Sequence, residues 1–135
     1  MKTIDKEFVP HEQSLELKEL GFDEPCFGKF YHNHLEIGGS WLNSEFNKDK
    51  KDGNIFTSAP LYQQVFRWFR ETYKLDSYMK PATLKTGKVY DFYIWFTDEK
   101  GDEDLFIGMN NLYSYEEAEL ECVNFLITTL KNKKC

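Results

Sequence analysis

The chain has few cysteines, few prolines, almost no arginine and no long apolar run. Cys26, Cys122 and Cys135 are an odd, scattered set of three in 135 residues. That pattern fits reduced thiols in a cytosol and not a disulfide framework. No stretch of about eighteen apolar residues occurs, so no transmembrane helix is expected. The opening residues, MKTIDKEFVPHEQ, lack the apolar core of a secretion signal. Positive charge is also short: 17 Lys and Arg face 23 Asp and Glu, a net charge of −6. Such a balance argues against non-specific nucleic-acid binding, which needs a basic surface. Motifs are missing too. There is no G-x-S-x-G, H-E-x-x-H, Walker loop or G-x-G-x-x-G, and no regular calcium loop. The chain therefore reads as non-enzymatic and without a cofactor.

What is abundant is aromatic residues, at 17% with twelve Phe and eight Tyr. A disordered chain would lack these, so a folded core is expected. Length predicts one domain over residues 1–135. The clearest stretch is Ser58–Leu75. Ser58 suits an N-cap, and Pro60 suits the first turn of the helix that follows. Leu61, Tyr62, Val65, Phe66, Trp68, Phe69 and Tyr73 repeat at three and four, which makes one apolar face. Gln63, Arg67, Arg70 and Lys74 recur on the other. Arg67 and Arg70 are the only arginines of the chain. That face is either a solvated surface or a site for an anion or partner, since a guanidinium suits phosphate and carboxylate.

Residues 1–7 form a polar lead-in. A helix over Pro10–Leu20 should end on Gly21 as a left-handed cap with Phe22 folding back. Cys26–Tyr31 and Leu35–Ile37 read as a hairpin turning near Asn33. Residues 40–53 read as a long loop carrying Trp41. Ile55–Thr57 is a short strand before the central helix. Residues 76–87 read as a connection. Lys88–Thr97 is a strand in which Tyr90, Phe92, Ile94 and Phe96 face the core, while Val89, Asp91, Tyr93 and Trp95 point away. A turn at 98–102 leads to a strand at Asp104–Met109. Ser114 to Glu117 is a capping box that opens a helix from Tyr115 to Asn132. The expected fold is α+β and two-layer. It has an antiparallel sheet of four to five strands and three helices, in the order helix-hairpin-helix-hairpin-helix.

Three candidate sites follow. His32 and His34 would share a strand face, but two ligands do not make a metal site and none is expected. Cys26 and Cys122 fall on apolar patterns and read as core thiols. Trp41, Tyr62, Trp68, Tyr93 and Trp95 are too many to bury in one small core, so an exposed aromatic patch and a protein interface are expected, a homodimer being the simplest. The alternative is a nucleotide-like anion held by Arg67 or Arg70, with an aromatic ring on the base.

Several stretches carry a resemblance. They are Phe8-Val9-Pro10, Glu19–Cys26, Ser58–Gln64, Phe66–Glu71 and Tyr115–Glu119. These stretches resemble small uncharacterised proteins of phages and prophages of gut Bacteroidetes. The resemblance falls in three blocks, about a third of the chain, and the middle block, which holds Ser58–Gln64 and Phe66–Glu71, is the most distinctive. It implies an accessory protein acting in the cytoplasm of a bacterial host cell, and it assigns no catalytic residue.

Overall fold

The structure is a computed structural model, and it describes residues 3–37, 56–97, 103–107 and 114–133. Among the described residues it is an α+β protein with three α-helices and two antiparallel three-stranded sheets. The expected single sheet of four to five strands is thus replaced by two sheets. The physical reason is that each hairpin gains a third strand from a flanking segment. The chain divides into two compact units, residues 1–64 with 133–135 and residues 65–132.

The first unit begins with a short 3-10 helix, Thr3–Glu7, followed by α1, His11–Glu19. Gly21, at φ +101°, ends α1 as expected. The Phe22 amide donates to the Leu17 carbonyl at 3.0 Å, and the Gly21 amide donates to that of Lys18 at 3.1 Å. This double closure satisfies carbonyls that the helix end would leave open, and Phe22 is buried behind it. Strands β1 (Gly28–Tyr31), β2 (His34–Ile37) and β3 (Phe56–Ala59) follow, in the order β2-β1-β3. The β1–β2 turn is His32-Asn33, as expected near Asn33, but the positive φ of 55° falls on His32. Phe8, Phe30 and Ala59 form a core cluster on one sheet face, with Leu35 and Leu61 packed against it.

Helix α2 spans Tyr62–Tyr73 and does not begin at Ser58. Ser58 belongs to β3, opposite Lys29, and is fully buried. The segment before the helix is tied down twice more. The Val9 amide donates to the Pro60 carbonyl at 2.9 Å, and Phe8 bridges Leu61. Strand pairing therefore overrides the cap preference of Ser58, a tertiary effect that local propensity does not register.

The second unit holds β4 (Leu75–Leu84), β5 (Gly87–Thr97), β6 (Glu103–Ile107) and α3 (Tyr115–Lys133), with the sheet ordered β4-β5-β6. The expected connection over 76–87 is in fact mostly β4. It joins β5 through a two-residue loop, Lys85-Thr86, which Leu84 and Gly87 flank as partners. Gly87 takes φ +130°, which a glycine allows without strain. Pro81 lies within β4, and counting the alternating pairs back from the loop turns its nitrogen away from β5. Among the described residues β4 is an edge strand, where a proline costs no ladder hydrogen bond. Phe92 and Ile94 are buried, as expected, with Leu75 opposite Phe96 on the same face.

Helix α3 packs on that face: Phe125 lies 6.1 Å from Phe92, and Tyr115 meets Tyr90 edge-on at 5.0 Å. Its start is the expected reciprocal cap. The Glu117 amide donates to Ser114 Oγ at 3.2 Å, and the Ser114 amide donates to Glu117 Oε1 at 3.3 Å. Ala118, Cys122, Val123, Leu126, Ile127 and Leu130 are its buried stripe, while Phe125 and Thr129 sit at the half-buried margin. The expected loop at 40–53 and turn at 98–102 lie outside the described residues. Among the described residues no helix is long and apolar enough to cross a membrane.

Candidate binding surfaces

Helix α2 separates its residues sharply. Tyr62, Val65, Phe66, Trp68 and Phe69 are buried, and Gln63, Arg67 and Arg70 are exposed. The ring of Trp68 meets Phe69 at 5.1 Å and Tyr73 at 5.3 Å, both edge-on, a favoured aromatic geometry. Tyr62 and Trp68 are therefore core residues and leave the expected exposed aromatic set. Lys74 is exposed, but it does not continue the helix face. It follows the helix at φ +60° and leads directly into β4. The basic face thus consists of Gln63, Arg67 and Arg70, with Lys74 on the elbow beyond.

The second surface is the β4–β5 face opposite α3. Alternation places Val89, Asp91, Tyr93 and Trp95 there, all half-buried. The register puts Asp76 opposite Trp95, Tyr78 opposite Tyr93 and Lys80 opposite Asp91. Tyr78 is 45% exposed and stacks on Tyr93 at 5.2 Å with rings 10° apart. The Lys80 ammonium lies 5.5 Å from the Tyr93 ring centre. One carboxylate oxygen of Asp91, Oδ1, is buried and has no hydrogen-bond partner. Tyr93 and Trp95 are thus brought together as expected, whereas Trp41 lies outside the described residues. Tyr78, Lys80 and Asp76 were not expected here, because their segment reads as a connection. The period-two placement of Asp76, Tyr78 and Lys80 was the available signal.

The first unit has a smaller counterpart on the face of β1 that carries Lys29 and Tyr31. Lys29 pairs with Glu36 at 3.6 Å and lies 4.5 Å from the Phe56 ring centre. Tyr31 contacts Phe56 at 5.3 Å and His32 at 4.5 Å. His32 lies in the turn and His34 in β2, so they do not share a strand face as expected. Among the described residues no three His, Cys, Asp or Glu side chains gather as metal ligands.

Cys26 and Cys122 are buried and free. Burial, and then the Glu24 charge, push the Cys26 thiol up to about 12, against hydrogen bonds with Gln64 and Ser58. Burial likewise pushes Cys122 up to about 12; a Ser77 hydrogen bond opposes the shift and Glu119 adds to it. Both stay protonated at neutral pH, which suits core packing and not nucleophilic attack. No protein-family model, curated protein or solved structure matches the chain.

Proposed function

We propose that the chain is a non-enzymatic accessory protein that binds a protein partner. On the resemblance above, it is of phage or prophage origin and acts in the cytoplasm of the bacterial host. In this reading each unit is a two-layer frame of a sheet with a helix on one face. The half-buried β4–β5 face, with exposed Tyr78 and Lys80, and the exposed α2 face are the contact surfaces. The observation that carries the reading is the Tyr78–Tyr93 stack on the sheet face away from α3, with Tyr78 45% exposed beside Trp95. Large rings kept at a surface are the residue type that protein interfaces favour. A second copy of the chain is the simplest partner.

The test is affinity capture from a gut Bacteroidetes lysate with the wild type, Arg67→Ala plus Arg70→Ala, and Tyr78→Ala. A partner held by the wild type and lost from a variant supports the reading. Identical captures by all three overturn it, and sedimentation of the pure protein tests for the second copy. The exposure of Arg67 and Arg70, three residues apart on one helix, favours one alternative, a nucleotide-like anion. A melting temperature that rises with nucleotide for the wild type, and not for the double variant, would establish that ligand instead.

A further inference from the structure

The β4–β5 face leaves one strongly polar atom unsatisfied. Asp91 lies between Val89 and Tyr93 on that face, and its Oδ1 is buried without a donor. A carboxylate oxygen withdrawn from water costs free energy until a donor reaches it. Lys80 stands directly across the ladder and is the obvious partner. Its ammonium instead lies over the Tyr93 ring, 5.5 Å from the centre. Aromatic faces are electron-rich and attract cations, so the lysine marks a position where positive charge is favoured. Asp76, opposite Trp95, adds a second carboxylate to the same face. Lys80 is exposed, so its head group can exchange that position for water.

We infer that this face takes a cationic side chain from the partner, above all an arginine, and that Lys80 holds its place until then. The inference rests on the protein-binding reading and names what that partner must carry. A guanidinium that displaces Lys80 from over the Tyr93 ring can stack there and also direct N–H groups at Asp91 Oδ1; an ammonium does one or the other. The net charge of −6 favours approach by a basic segment.

The full chain is titrated with an arginine-glycine repeat peptide, followed by tryptophan fluorescence, and with the same peptide carrying citrulline for arginine. The arginine peptide should bind at least about tenfold tighter, the effect of losing charge-assisted bonds. Asp91→Asn and Tyr78→Ala should each weaken binding by about five- to tenfold. Lys80→Ala should strengthen it, by about threefold, because a competitor is removed. Lys6→Ala makes the same charge change on an exposed residue of the first unit and should leave affinity within about twofold. Tyr78 and Lys80 are exposed, so their variants test the surface even if Asp91→Asn does not fold. Equal gains from Lys80→Ala and Lys6→Ala would reduce the effect to net charge and overturn the inference. So would equal binding of the citrulline peptide. Either result leaves standing a partner captured through Tyr78, whereas the absence of any such partner removes the reading beneath.

Discussion

The two sheets use the same plan and are held by different means. In the first unit three strands of four residues offer little area. That sheet depends on fit. A Cβ on Gly28 would meet Phe8 Cε1 at 3.1 Å and the Glu36 carbonyl oxygen at 3.2 Å. In the second unit, strands of ten and eleven residues pair along their length and give α3 a long apolar bed. Both hairpins turn on two residues. The long one places its positive φ on a glycine, and the short one places it on His32. Extended area spreads the packing over many residues, whereas a small sheet makes individual positions exacting.

The largest expected effect is on the area side. Phe92→Ala removes a buried ring that packs against Phe125 and should cost about 3–5 kcal/mol in urea unfolding. A loss under about 1 kcal/mol would show that α3 is not held by this face. Next comes the fit side. Gly28→Ala should cost about 1–3 kcal/mol by crowding. Gly87→Ala meets no atom within 4 Å and should cost about 1–2 kcal/mol through backbone strain alone. A second small residue tolerated at 28 but not at 87 would reverse the contrast. His32→Gly should gain about 0.5 kcal/mol, since relief of about 1–2 kcal/mol of strain exceeds about 0.5–1 kcal/mol of added chain entropy.

The smallest effect is a pH slope in the first unit. Burial lowers the pKa of His11 below 6.5, with its ring 5.0 Å from Phe30 and its Nε2 buried without a hydrogen-bond partner. The folded chain thus favours neutral imidazole, and the unfolded chain takes up the proton first as pH falls. The stability contributed is full above about pH 6.5 and is lost as pH drops from there towards the folded pKa. Urea midpoints from about pH 7.5 to about pH 5 should fall less for His11→Phe than for the wild type. Parallel curves would place the slope elsewhere in the chain.

Signals confined to a few neighbouring residues were legible in the sequence. Gly21 with Phe22, the Ser114–Glu117 cap, the His32-Asn33 turn and the alternation of β5 all read directly, because each is set by local hydrogen bonds or by side-chain period. Ser58 misled, since β1 and Phe8 claim its segment. β4 was hidden: Lys80, Pro81 and Thr83 suit a loop as well as an edge strand, and pairing with β5 decides the matter. That single miss concealed half of the aromatic face. Tyr93 and Trp95 were legible as outward residues, while Tyr78 and Lys80 needed the register. Tyr62 and Trp68 were misjudged because α2 buries a wider stripe than one small core suggests.

Pro81 has a consequence for assembly. Among the described residues the side of β4 away from β5 can offer amide donors from Leu75, Ser77 and Met79, then none at Pro81, then one from Thr83. A further strand laid along this edge would lose registry of its hydrogen bonds midway. At this edge the addition of a strand from another chain, the usual route from a sheet to a fibre, is therefore interrupted at its template.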